Sequence, residues 1–264
     1  MNNHAVTFLT LEEEAFVVKE NTDVLVFQDK AFESINIKVE SGANLTFISY
    51  YNKKCPSPKL NITLLKDAHL SMYNLIIAEE AENLTADINL NEEHAGAEVL
   101  NVYLGIAKAS INSTIHIHHN APNTVSTLDI YAIARSGATL SLNNCATIKK
   151  GMKGSVIKQK ARGLNLDNNS QIKALPILYI DESDVLASHA AAIGSINKDD
   201  LFYLMSRGLT KTKSAELVVL GFIKPYIDKI AGEDNPVLKN FTIKVLDDFK
   251  NKLVVTLMKK VFND

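Results

Sequence analysis

Seven histidines and two cysteines are the side chains of this 264-residue chain best suited to metal or acid–base chemistry, and their spacing decides which could act together. His116-Ile117-His118-His119 carries two imidazoles two residues apart. If Ile115 and Ile117 face a core, His116 and His118 share the outer face of one strand about 7 Å apart. That spacing can hold one metal ion if a third ligand approaches from a neighbouring strand. The sequence names no such ligand and has no CxxC or HExxH, so solvated surface histidines are the plainer reading. His189 stands alone among Ala187, Ser188, Ala190, Ala191 and Ala192. Small neighbours leave its ring accessible or let another backbone approach closely; the bland alternative is a histidine packed at a sheet-to-helix corner and bonded to a carbonyl. Cys145, in Asn143-Asn144-Cys145-Ala146, reads as a buried small apolar residue rather than a sulfur carrier.

Nucleophilic templates fit poorly. Ser188 and His189 are adjacent and would point in different directions, Asp184 alone completes no triad, and there is no G-x-S-x-G elbow. Nor is there a phosphate-cradling G-x-x-x-x-G-K-S/T, so any ATPase activity is expected in a partner.

The elements that must position these residues follow from periodicity. From about Ile35 to Val185 apolar residues alternate in short runs: Ile35, Ile37, Val39; Leu60, Ile62, Leu64; Ile115, Ile117; Leu128, Ile130; Leu140, Leu142. Period two predicts strands buried on one face. Between them recur small-residue turns at Ser41-Gly42-Ala43, Asp67-Ala68-His69, Ala95-Gly96-Ala97 and Ser136-Gly137-Ala138. They are spaced in the twenties of residues at first and about forty at the last, as if one turn were missing. A loosely repeated turn between short strands predicts a solenoid of stacked coils. A β-sandwich also has short alternating strands and is the competing architecture.

After Ile193 the pattern becomes helical. Asn197 is a candidate N-cap, with Leu201, Phe202, Leu204 and Met205 at helical spacing before a stop at Gly208. Thr212 is placed to cap a second helix, which Pro225 should kink or split near Lys224. A third is expected from Asn235-Pro236 onward through Phe249 and Leu253.

Hydrophobic residues make up 46% of the chain, enough for a sizeable core, and the net charge of −2 has no basic patch to draw nucleic acid or an anionic membrane. No apolar run approaches the roughly 18 residues needed to span a bilayer, and Met1-Asn2-Asn3-His4-Ala5-Val6 lacks a basic region followed by an apolar one, so no signal peptide is expected. Two cysteines ninety residues apart, Cys55 and Cys145, suit a reducing compartment, so a cytoplasmic location is expected.

One segment resembles a known family. Ala187-Ser188-His189-Ala190-Ala191-Ala192-Ile193-Gly194, followed by Leu201-Phe202-Tyr203-Leu204-Met205-Ser206-Arg207-Gly208, is similar to the C-terminal signature of the SufB/SufD iron–sulfur cluster assembly proteins. There an SHGAT-like run precedes an LFYLxSRG helix. Pro176-Ile177-Leu178-Tyr179-Ile180 and Gly221-Phe222 stand in family order around it, and the resemblance extends diffusely to His119-Asn120-Ala121-Pro122. It implies a right-handed parallel β-helix over residues 1–190 and a C-terminal helical domain over 191–264, without the N-terminal helical region of larger members. It further implies a non-enzymatic assembly subunit with no stably bound cofactor. His189 would be a candidate ligand for a transient iron–sulfur cluster at a subunit interface, and Leu201, Phe202, Tyr203, Arg207 and Leu209 would contact a SufC-type ATPase. The second wall of the interface would be a SufB-type scaffold or another copy of this chain. Two departures stand out: Ala187 replaces the cysteine two residues before the family histidine, and Ala161-Arg162-Gly163-Leu164-Asn165 has no thiol where SufB-type members place a scaffold cysteine. Both make the chain look like SufD rather than SufB. A carbohydrate-binding or carbohydrate-active β-helix is the alternative, weakened by the lack of tryptophan and of paired carboxylates.

Overall fold

Alternating side chains build strands that each pair with the strand two ahead rather than the next. The structure is a computed structural model describing residues 7–28, 31–52, 57–232, 243 and 246–253. Its strands are β1 (Thr7–Thr10), β2 (Ala15–Val18), β3 (Asp23–Gln28), β4 (Ser34–Val39), β5 (Asn44–Tyr51), β6 (Lys59–Leu64), β7 (His69–Ala78), β8 (Ala81–Leu90), β9 (Gly96–Gly105), β10 (Ser110–His119), β11 (Val125–Ala134), β12 (Thr139–Ile148), β13 (Val156–Asn165), β14 (Gln171–Ile180) and β15 (Leu186–Ser195). Odd-numbered strands form an eight-stranded sheet and even-numbered strands a seven-stranded sheet, each in chain order. The pairings are parallel throughout, as in β8·β10, β10·β12 and β13·β15. The chain therefore winds from one sheet to the other and back, a parallel β-solenoid rather than a sandwich. Strands lengthen along it, from four residues in β1 and β2 to six in β3 and β4 and ten in β7 and those after it.

Inward side chains of both sheets form one continuous core, from Leu11 through Phe47, Ile62, Met72, Ile88, Tyr103, Ile115 and Leu140 to Ile172. A polar thread runs inside it. Ser49 bonds Asn74, Asn74 Nδ2 donates to Asn101 Oδ1 (2.9 Å), Asn101 Nδ2 to Tyr103 OH (3.1 Å), and that hydroxyl pairs with Ser113 (2.7 Å). Each member of this thread finds its partner on a neighbouring coil or within its own, which offsets the cost of desolvation. Burial pushes the Tyr103 phenol up to about 12.

The corners stack as well. Asn21, Gly42, Asp67, His94, Asn123 and Gly154 all take positive φ, between 53° and 70°. Along this column Gly42 N–H donates to the Lys66 carbonyl, Asp67 N–H to Glu93 and Gly154 N–H to Asp184. Ser136 and Gly137 belong to a second column at the opposite corner, where Lys108 N–H donates to the Ser136 carbonyl (3.1 Å). The apparent gap of about forty residues in the sequence thus arises because two columns were read as one.

Helices cover the outer face of the eight-stranded sheet. Asn197 caps α1 (Lys198–Ser206) by accepting from Asp199 N–H at 2.9 Å, and Gly208, at φ +91°, follows its end. The second helix, α2 (Lys211–Gly232), is capped by Thr210 rather than Thr212: Lys213 N–H donates to Thr210 Oγ1 at 3.2 Å. It runs unbroken through Pro225, because Val219, Ile223 and Tyr226 are buried on both sides of the proline and hold it to the sheet. Residues 246–253 are helical, with Phe249 and Leu253 buried; Asn235 and Pro236 lie outside the described residues. These side chains share a second apolar cluster with Leu25, Ile48, Leu75, Val102, Ile133 and Leu164 of the sheet. Strands β7 and β9 are covered on both faces there, which accounts for the continuous apolar runs Leu75-Ile76-Ile77 and Val102-Tyr103-Leu104.

Strands begin well before Ile35 and continue past Ala190, so the boundary between solenoid and helices falls after Ser195. The alanine-rich run has no apolar alternation to announce a strand; pairing with β13 makes it one.

Candidate functional site

The solenoid ends on β15, which pairs on one side only, with β13. All ten of its residues are exposed. His189 is therefore neither packed nor at a corner; it sits in mid-strand, opposite Gln159. In-register neighbours on parallel strands share a face. Gln159 points into the solenoid with Ile157 and Ala161, so His189 prolongs that inward row at the open mouth beyond the last packed layer. Gln159 is 4% exposed, and neither its Oε1 nor its Nε2 has a hydrogen-bond partner; Asn144 Oδ1 is likewise buried and unpartnered among the described residues. Buried polar atoms without partners are uncommon and costly. On the last two strands Leu175, Tyr179, Leu186 and Ile193 are exposed apolar side chains.

The helix that follows is the second exposed surface. No residue of α1 is buried. Phe202 is 74% exposed, Tyr203 57% and Met205 43%. Leu201 packs partly against the helix–sheet cluster, and Leu209 is half-buried, so these two anchor the segment. Arg207 lies over the Tyr203 ring, 5.2 Å from its centroid, and its Nη2 donates to the Tyr203 hydroxyl at 3.1 Å. Aromatic and arginine side chains held in one orientation on an exposed helix lose little entropy on being covered.

The histidine cluster divides. Ile115, Ile117 and His119 face the core, while His116 and His118 point outward as the alternation requires. Their ring centroids are 3.8 Å apart. Desolvation, then the neighbouring His118, holds the His116 imidazole below the usual histidine range. Sequence reasoning missed Asp87, which lies opposite His116 on β8. Only register could have found it. Cys145, opposite His116 on β12, is also on the outer face and only partly buried, because Leu142, Asn144 and Ala146 take the inward positions of its strand. Burial still pushes its thiol up. Cys55 lies outside the described residues.

Among the described residues no helix is long and apolar enough to cross a membrane.

Comparison with known proteins connects this geometry to a family. Iron–sulfur cluster assembly SufBD family proteins of Mycobacterium tuberculosis are 34% identical over 141 residues, 53% of this chain and 17% of the relative. The iron–sulfur cluster assembly protein SufD of Bacillus subtilis is 31% identical over 150 residues, 57% of this chain and 34% of its own length. A SufBD family protein of Staphylococcus haemolyticus is 23% identical over 236 residues, covering 76% of this chain and 51% of the relative. The chain thus spans about half or less of the length of these relatives. Residues 4–222, which take in all fifteen described strands, α1 and the first half of α2, match the family described as SUF system FeS cluster assembly, SufBD core domain. This chain belongs to the SufBD family of the SUF iron–sulfur cluster assembly system.

Proposed function

We propose that the chain is a SufD-like, non-enzymatic subunit of an assembly complex, pairing with a second SufBD-type subunit at the solenoid mouth and docking a SufC-type ATPase on α1. The observation that carries the reading is β15: ten exposed residues, an unpaired edge and an imidazole directed along the inner row. An edge strand of this length is a template for another chain, and proteins normally cover it.

In this reading His189 offers one nitrogen ligand to iron held between two subunits. A neutral imidazole grips iron less firmly than a thiolate, which suits cargo that must leave again. The inward row of β13 and β15 has no thiol beside it, so sulfur ligands would come from the other wall. The ATPase can move the two walls only if its nucleotide states differ in how they hold α1 and α2. Phe202, Tyr203 and Arg207 are the first residues to test, since all three are exposed.

Two experiments check the reading. Copurification with a SufC-type ATPase should weaken at least ~10-fold in Tyr203→Ala plus Arg207→Ala, with the far-ultraviolet circular dichroism unchanged. Retained binding removes α1 from the interface. Iron and sulfide content of the reconstituted complex should fall in His189→Ala, and unchanged content would reduce His189 to an inert surface residue.

A further inference from the structure

Three potential metal ligands meet on the outer face of the seven-stranded sheet, away from the helices. Asp87 lies on β8, and His116 and His118 lie on β10; their ligand atoms are all within 4.8 Å of one another. His118 Nε2 stands 3.5 Å from Asp87 Oδ1, and the two imidazole rings face each other at 3.8 Å with a tilt of 32°. His116 Nε2 is hydrogen-bonded to Thr147 Oγ1 on the next strand at 2.7 Å. When Nε2 donates this bond, Nδ1 keeps its lone pair for a metal.

We propose that Asp87, His116 and His118 bind a divalent transition-metal ion of the zinc class, with the fourth position open to solvent. Four features support it. The set comprises two nitrogen donors and one carboxylate, a common three-ligand arrangement for zinc. Tetrahedral ligands around zinc sit roughly 3.4 Å apart, so side-chain rotations of about 1 Å close the present spacing. Thr147 supplies the outer hydrogen bond that ligating histidines ordinarily make, which fixes the ring and its tautomer. Finally, the register partners of Asp87 are Asn61 and His116, so the residues directly opposite the carboxylate are neither lysine nor arginine. All of the ligands are on strands paired on both sides, a stiffer support than a loop. Imidazole donors select zinc, cobalt or nickel over magnesium and calcium, which prefer oxygen.

This site is independent of the reading built on β15. His116 and His118 belong to the seven-stranded sheet and His189 to the edge of the other, so failure here leaves the assembly function untouched.

The test uses the full chain, untagged and stripped with a chelator. Calorimetric titration should show one saturable equivalent of Zn²⁺ per chain, not displaced by a large excess of Mg²⁺. Asp87→Asn and His118→Ala should each weaken it at least ~10-fold, and His116→Ala plus His118→Ala should abolish it. His94→Ala, at an exposed turn, should leave it unchanged. The ligands are partly exposed, so the variants are expected to fold, as circular dichroism and thermal melting without metal would verify. In the parent chain alone, Zn²⁺ should also raise the melting temperature. No saturable equivalent, or undiminished binding in the folded double histidine variant, overturns the proposal.

Discussion

His118 and His119 are consecutive imidazoles with opposite surroundings, one facing solvent and Asp87, the other sealed in the core. Both ring nitrogens of His119 are bonded to hydroxyls, Nδ1 to Thr124 and Nε2 to Ser126, each at 2.8 Å. Burial, and after it the nearby His118, pushes its pKa down to about 4. In the unfolded chain the value returns to about 6.5, so the unfolded state takes up the proton first as pH falls. Stability from this residue is complete above about pH 6.5 and is lost progressively toward pH 4, by roughly 3 kcal/mol. Urea denaturation in chelating buffer at pH 7 and pH 4.5 should show a smaller acid loss in His119→Gln than in the parent. An identical pH dependence in both would mean that His119 is not the group responsible. The sequence announced the inward histidine no more than the outward ones; the alternation that carries Ile115 and Ile117 inward decides it.

At the scale of elements, the corner columns are the part most exposed to single substitutions. Gly154 takes φ +70°, and a Cβ there would stand 2.3 Å from Asn123 Oδ1 of the preceding coil. Gly154→Ala should therefore combine left-handed backbone strain with a clash, and lower stability by roughly 1–3 kcal/mol in urea denaturation. No measurable change would argue against a stacked column at that corner. Strand identity was legible in the sequence wherever one face meets water, as in Ile115 and Ile117 or Leu140 and Leu142. It was not legible for β15, whose residues are all exposed, nor for the neighbours of His116, because the distance from Asp87 to His116 along the chain depends on the length of a whole coil. The same is true of Cys145: its type suggested burial, while its place in the strand put it outside.

For the molecule as a whole, a stack of coils in which each touches only its neighbours would unfold from its ends in pieces. The C-terminal helices work against this. Ala215, Val219, Ile223, Tyr226, Phe249 and Leu253 share one cluster with residues of six successive strands of the sheet, from Leu25 on β3 to Leu164 on β13. Ion pairs add to the attachment, between Lys229 and Glu98 and between Lys252 and Glu79. Val219→Ala plus Ile223→Ala should therefore do more than remove about 2–5 kcal/mol of packing. The urea transition should broaden, or split between probes, as the coils lose their common splint. A single sharp transition with an unchanged slope would show that the coils are coupled without the helices.

The lengthening of the strands also limits how copies can join. A ten-residue edge such as β15 is ~33 Å long, while the four-residue β1 and β2 measure ~13 Å. Against strands as short as β1 and β2, most of the longer β15 edge would be left unmatched. Two β15 edges set against each other match along their full length, and such a twofold contact closes on itself after two members.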